Sequence, residues 1–131
     1  MPIILCLDPG TAHTGLAISR EGILAEPLET IFERKTNSLV SRLVPYIARF
    51  NPDIIVVGTP SYGPLVKVAQ DIAEKLPSVF SGKIELFNED LSSKEAGSKM
   101  RQSKKTIRQI KTAQHQTAAA IVLQRYLDEQ Q

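Results

Sequence analysis

An unbroken apolar run, Ile3–Leu7, stops on an aspartate and a Pro-Gly pair, and a second apolar stretch follows at once: LCLDPGTAHTGLAIS over residues 5–19. A run with no polar residue on either side of the pleat belongs to a strand covered on both faces. Such a strand is central in a layered α/β fold, and its last residue is carried to the rim of the sheet. An ionised carboxylate at that position is costly unless something compensates it. A backbone turn, a metal ion or an arginine could each do so.

The rest of the chain is built to cover that strand. Thr14–Ser19 alternates loosely, and Ile23–Ile31 follows the turn signal Glu21-Gly22, so the first three strands form an antiparallel meander. Ser38–Phe50 carries Leu39, Val40, Leu43, Val44, Ile47 and Phe50 at helical spacing; Pro45 can kink this helix and Asn51-Pro52 ends it. Asp53–Gly58 (DIIVVG) reads as another central strand, and Pro64–Leu76 as a second helix with Leu65, Val68, Ala69, Ile72, Ala73 and Leu76 on one face. Lys83–Phe87 is a short fifth strand. Ser92-Ser93-Lys94-Glu95 has capping-box spacing and opens a third helix that Gly97 keeps short. A last helix runs from about Ala113 to Asp128.

The order βββαβαβαα implies a single α/β domain over 1–131, a mixed sheet with helices on both faces. Strands one and four are parallel, joined by a right-handed crossover. Ligand sites in such sheets lie beyond the carboxyl ends of the strands. Asp8, Gly58–Pro60 and Glu89 all fall there. With 131 residues, 42% of them apolar, the chain can bury a core without staples. Its one cysteine, Cys6, is expected to be a small buried hydrophobe in a reducing compartment. No apolar run is long enough for a membrane and no export signal is evident, so a cytoplasmic location and no membrane partner are expected. The net charge is only +2, but Lys94–Lys111 holds seven basic residues against one acid, Glu95. Such a run is either a solvated face or a phosphate-binding patch.

Three polar residues bear on function. Asp8 serves equally well as a turn residue accepting N–H bonds or as an exposed carboxylate with small neighbours that leave room for a phosphate or metal. Glu89, in FNEDLSS, follows the fifth strand just before a helix start. His115 lies in the first turn of the last helix, with Ala118, Ala119 and Val122 on its face, which would carry it inward. A lone histidine there is usually structural. Three such groups converging on one edge suggest a site.

The segments ILCLDPGTAHTGLAIS, AEPLETI, PDIIVVGTP, NEDLSS and TAAAIVLQRYL match, in order, the signature segments of the RuvX/YqgF family, which the chain resembles from Ile3 to about Leu127. The resemblance implies an RNase H-like fold: a five-stranded mixed sheet of order 3-2-1-4-5 with strand 2 antiparallel. It also implies a nuclease, since family members are described as Holliday junction resolvases and as nucleases that mature pre-16S ribosomal RNA. Carried over position by position, it makes Asp8 and Glu89 members of the acidic site, while His115 falls where the family has an aspartate before its Ala-Ala pair. Asn88 and Asp90 replace the family residues flanking Glu89, and Ala12-His13 stands where a Lys/Arg pair is common.

The activity so implied is metal-dependent hydrolysis of phosphodiester bonds in structured nucleic acid by two-metal-ion catalysis, on Holliday junction DNA or at the pre-16S rRNA 5′ end. Asp8, Glu89 and His115 would be both catalytic and metal-holding, with Mg²⁺ or Mn²⁺ as cofactor. Asp90 or Glu26 could supply further charge. Lys99, Arg101, Lys104, Lys105, Arg108 and Lys111 would hold the nucleic-acid backbone. Gly10, Gly15 and Gly58 would serve as structural turn residues. The alternative is a catalytically degenerate nucleic-acid-binding member, because the third acidic position is His115. A nucleotide-binding fragment of the actin/sugar-kinase type would also begin Asp-Pro-Gly-Thr, but those proteins need two such domains. A monomer or a homodimer is expected, and symmetric junction cutting would favour the dimer.

Overall fold

The structure, a computed structural model, describes residues 2–89 and 115–130, with the side chains of the last helix described from Thr117 onward. Five strands form one sheet of order β3-β2-β1-β4-β5: β1 Ile4–Pro9, β2 His13–Ser19, β3 Glu26–Phe32, β4 Ile54–Thr59 and β5 Lys83–Asn88. β2 is antiparallel to both β1 and β3, whereas β4 runs parallel to β1 and to β5. Helices α1 (Thr36–Phe50) and α2 (Pro64–Lys75), with a 3₁₀ turn at Leu76–Ser78, cover one face, and α3 (His115–Glu129) covers the other. The pattern implied the mixed sheet with helices on both faces, and the resemblance its RNase H-like strand order; both are observed.

The pleat of β1 divides its residues between two cores. Leu5 and Leu7 join Leu16, Ile18, Ile55 and Val57 beneath α1 and α2. Ile4 and Cys6 join Ala17, Val56 and Phe87 beneath Ala119, Val122, Leu123 and Leu127 of α3. A central strand with buried partners on both sides must be apolar throughout, which is what the opening run records. Tyr126 of α3 meets the ring of Phe87 edge-on at 5.6 Å and donates its hydroxyl to Glu85 of β5.

The ends of the elements depart modestly from the sequence expectation. The third strand begins at Glu26, not Ile23. Gly22 takes a left-handed φ of 77°, and the backbone of the next residues bonds to α3 instead of to a neighbouring strand. There Gln124 accepts from the Ala25 N–H at 2.9 Å and donates to the Ile23 carbonyl at 3.1 Å. Pro45 lies within α1 on its exposed side and does not end it. Asn51 does: at φ 46°, ψ 58°, its N–H bonds the Ile47 carbonyl at 2.8 Å. The capping box at Ser92 and its helix lie outside the described residues. No helix among the described residues is long and apolar enough to cross a membrane.

Leu43 is fully buried between α1 and the sheet. Leu43→Ala should cost about 2–5 kcal/mol, read as a lower urea midpoint with an unchanged m-value.

Candidate active site at the carboxyl edge of the sheet

Asp8 is the next residue on β1 after Ile4 and Cys6 on the α3 face, so the alternation that buries those two delivers its carboxylate to the sheet's carboxyl edge. Its partner across the antiparallel pair is Gly15. On the other side Leu7 pairs with Val57, which sets Gly58 beside Asp8. The strands flanking the aspartate therefore both present hydrogen where other residues would present a side chain. Glu89 follows β5 directly, two residues beyond Phe87 and on the same face.

The structure brings the Glu89 side chain back over Gly58. A Cβ built on Gly58 would stand 2.8 Å from Glu89 Oε1, 3.2 Å from Val122 Cγ1 and 3.5 Å from the Leu7 carbonyl oxygen. The carboxylate thus occupies the space that any side chain at 58 would fill, above the strand next to Asp8. Cys6, two residues before Asp8, reports the same convergence. Its thiol is pushed well above its ordinary range, first by burial, then by the negative charge of Asp8 and of Glu89. The field of both carboxylates reaches one buried sulfur.

Gly15 and Gly58 are therefore not turn residues, as the sequence suggested; each is an extended residue within a strand, and what it supplies is space. Gly10 is in the turn, where a Cβ would come within 2.6 Å of the His13 carbonyl oxygen. Glu26 is removed from the site. It pairs with Ile18, whose β1 partner is Leu5, and so lies toward the opposite end of the sheet, 4.0 Å from Arg20 Nε. Asp90 lies outside the described residues, as do Lys99, Arg101, Lys104, Lys105, Arg108 and Lys111. His115 is the first residue of α3, two turns before Val122, and its side chain lies outside the described set.

Among the described residues no three of His, Cys, Asp and Glu are placed to hold a metal ion together. What they provide is a carboxylate pair with hard oxygen donors and a glycine cradle between. That set suits Mg²⁺ or Mn²⁺, which need few protein ligands and retain waters. The thiol beneath, kept neutral by burial, adds neither charge nor a soft ligand. The sequence missed Cys6 as part of the site, although the spacing Cys6–Asp8 already put both on one face of a strand.

Sheet order, strand directions and this edge site define an α/β protein of the RNase H-like class. A family model described as RuvX, Holliday junction resolvase, matches residues 2–129, and the chain belongs to that family, a family of nucleases. A protein of Chloroflexus aurantiacus bearing the name "Putative pre-16S rRNA nuclease" is 35% identical over 96% of this chain and 86% of its own length. One of the same name from Geobacillus sp. is 34% identical over 98% of this chain and 99% of its own. Among solved structures, T. thermophilus RuvC in complex with Holliday junction substrate superposes with a TM-score of 0.50 at 14% identity. The match covers 72% of this chain and 69% of that one, and speaks for the fold.

Because Cys6 is held protonated in the fold but ionises near about 8.5 when unfolded, the folded state binds the extra proton. Stability should therefore fall as pH rises from 8 to 9.5, by at most about 1.4 kcal/mol per pH unit for this group. Cys6→Ala should flatten that slope in urea titrations across the same range.

Proposed function

We propose that this chain is a divalent-metal-dependent endonuclease that hydrolyses phosphodiester bonds in structured nucleic acid, either a four-way DNA junction or the 5′ end of precursor 16S rRNA. The observation that carries the reading is the closing of the Glu89 carboxylate over Gly58, beside Asp8, at the carboxyl edge of the sheet. Family membership supports it.

Asp8 and Glu89 would hold two Mg²⁺ or Mn²⁺ ions, with His115 as the third holder at the start of α3. Bound there, such ions supply Lewis-acid stabilisation of the charge that develops on the phosphate oxygens and make an attacking water more acidic. The chain's own residues do the rest by position. Asp8 is fixed on the most buried strand, so its carboxylate cannot drift when a polyanion approaches. Glu89 sits at the end of the edge strand and reaches inward over Gly58, toward Asp8. Gly58 leaves the space that the Glu89 carboxylate fills, and Gly15, on the other side of Asp8, adds no side chain to crowd the aspartate. His115, with an imidazole where the family has a carboxylate, lowers the negative charge of the site and favours Mn²⁺ over Mg²⁺. The basic residues Lys99, Arg101, Lys104, Lys105, Arg108 and Lys111 would hold the backbone with salt-sensitive affinity.

Asp8→Asn or Glu89→Gln should lower cleavage of a four-way junction or a precursor rRNA fragment by roughly a hundredfold or more, the scale of losing a group that acts on developing charge. Both should also abolish the rise in melting temperature that Mn²⁺ gives the wild type, a readout independent of turnover. His115→Asp should raise the rate in Mg²⁺ relative to Mn²⁺. Wild-type cleavage that persists in excess chelator would overturn the metal-dependent reading.

Gly58→Ala tests the cradle directly. The added methyl must displace the Glu89 carboxylate, so it should weaken metal binding while costing at most about 1–3 kcal/mol of stability.

A further inference from the structure

His13 and Phe32 are paired across β2 and β3 at the sheet's carboxyl edge. The register fixes where they point. Asp8 pairs with Gly15, and Gly15 with Thr30, so these three form one row on the α3 face. His13 and Phe32 are two residues further along their strands on that same face, the next row outward from Asp8. Their rings lie 6.1 Å apart at 43°, within the range of a stabilising aromatic pair. Phe32 nevertheless remains 62% exposed.

A single exposed phenylalanine is ordinary on a protein surface. This one differs in how it is held. Arg42 Nη1 donates to the Phe32 carbonyl at 2.9 Å, and the next N–H, of Glu33, donates to the Ala12 carbonyl at 3.1 Å. Two bonds to the peptide group that follows Phe32 thus fix the backbone that carries the ring, and His13 supports the ring from its own strand. Arg34 and Lys35, both exposed, follow immediately. A rigid, open aromatic face beside cationic side chains, one row from a site that handles phosphodiesters, has the make-up of a base-stacking platform.

We infer that the His13–Phe32 pair is a ledge on which an unpaired nucleobase next to the scissile phosphate stacks, making it a substrate-positioning element that selects strands with unstacked nucleotides over continuous duplex. This rests on the nuclease reading of Asp8 and Glu89. Stacking is indifferent to the sugar, so the ledge recognises an unpaired base whether it comes from a DNA junction or from precursor rRNA.

Binding of Phe32→Ala, Phe32→Leu and Phe32→Trp can be compared with wild type by fluorescence anisotropy in Ca²⁺. The probes are a four-way DNA junction, a precursor 16S rRNA 5′ fragment and a fully paired DNA duplex. 2-Aminopurine placed beside the cleavage position reports stacking through quenching. Phe32→Ala and Phe32→Leu should each weaken binding of at least one of the first two probes by about tenfold. They should lose the quench on that probe and bind the duplex as wild type does. Phe32→Trp should restore both affinity and quench, an aromatic rescue that a merely structural role would not give. In cleavage, the losses should appear in KM more than in kcat. If Phe32→Leu binds and quenches like wild type, or if the duplex is weakened as much as the branched or precursor probe, the ledge is wrong while the nuclease reading stands. If wild type binds none of the three nucleic acids, both fall together. Because the Phe32 side chain is exposed, its variants should melt with the wild type, and His13→Ala provides a second removal of the support.

Discussion

The parallel register between β1 and β4 is the constraint from which the site follows. It matches Leu7 to Val57 and so sets Gly58 against Asp8. A one-residue slip would turn every side chain of β4 to the other face, burying the glycine beneath α1 and α2 and bringing a valine up beside the aspartate. The two hydrophobic cores forbid that slip, because Ile55 and Val57 fill one and Val56 the other. The space over Gly58 into which Glu89 folds is therefore guaranteed by packing on both faces of the sheet, far more than by anything local to the loop.

Two chemically opposite demands meet at this edge. The core wants β1 apolar and dry, and the site wants carboxylates close together. The chain reconciles them along a single strand: Cys6, fully buried, lies one pleat from Asp8, which is partly buried. The thiol is the last apolar layer below the charge. A hydroxyl there would need a hydrogen-bond partner, and a larger residue would push against α3; a cysteine fills the space while staying neutral under two negative fields. The nuclease family to which the chain belongs is thus expressed here as a steep polarity gradient over two residues.

Much of this was legible in the sequence because the signals were periodic. The apolar run Ile3–Leu7, the alternating second strand and the helical stripe from Leu39 to Phe50 each carry their element type in their spacing, and their succession implies a mixed sheet, whose order the family resemblance supplied. Asp8 and Glu89 could be placed at one edge because strand ends were readable to within a residue or two. What spacing could not show was depth. Gly15 and Gly58 looked like turn glycines, since a missing side chain reads the same whether it frees the backbone or empties a volume. Glu26 looked eligible because acidity is visible in a sequence, whereas its place near the wrong end of the sheet depends on the strand pairing that sets it opposite Ile18. The start of β3 was misplaced for a related reason: Gln124, about a hundred residues away, takes the hydrogen bonds that a strand would have made.

The same glutamine has a consequence for the molecule's polarity as an object. Through it the carboxyl half of α3 is tied to the β2–β3 connection, and Asp128 accepts its remaining amide hydrogen at 3.1 Å. The ring of Pro2 lies against the same connection, with its Cδ 3.5 Å from where a Gly22 Cβ would stand. Residues 2 and 128 therefore gather at the pole of the sheet away from Asp8. Anything covalently joined beyond them, whether an affinity handle, a fluorophore or a fused partner, departs from the back of the molecule and leaves the carboxylate edge clear.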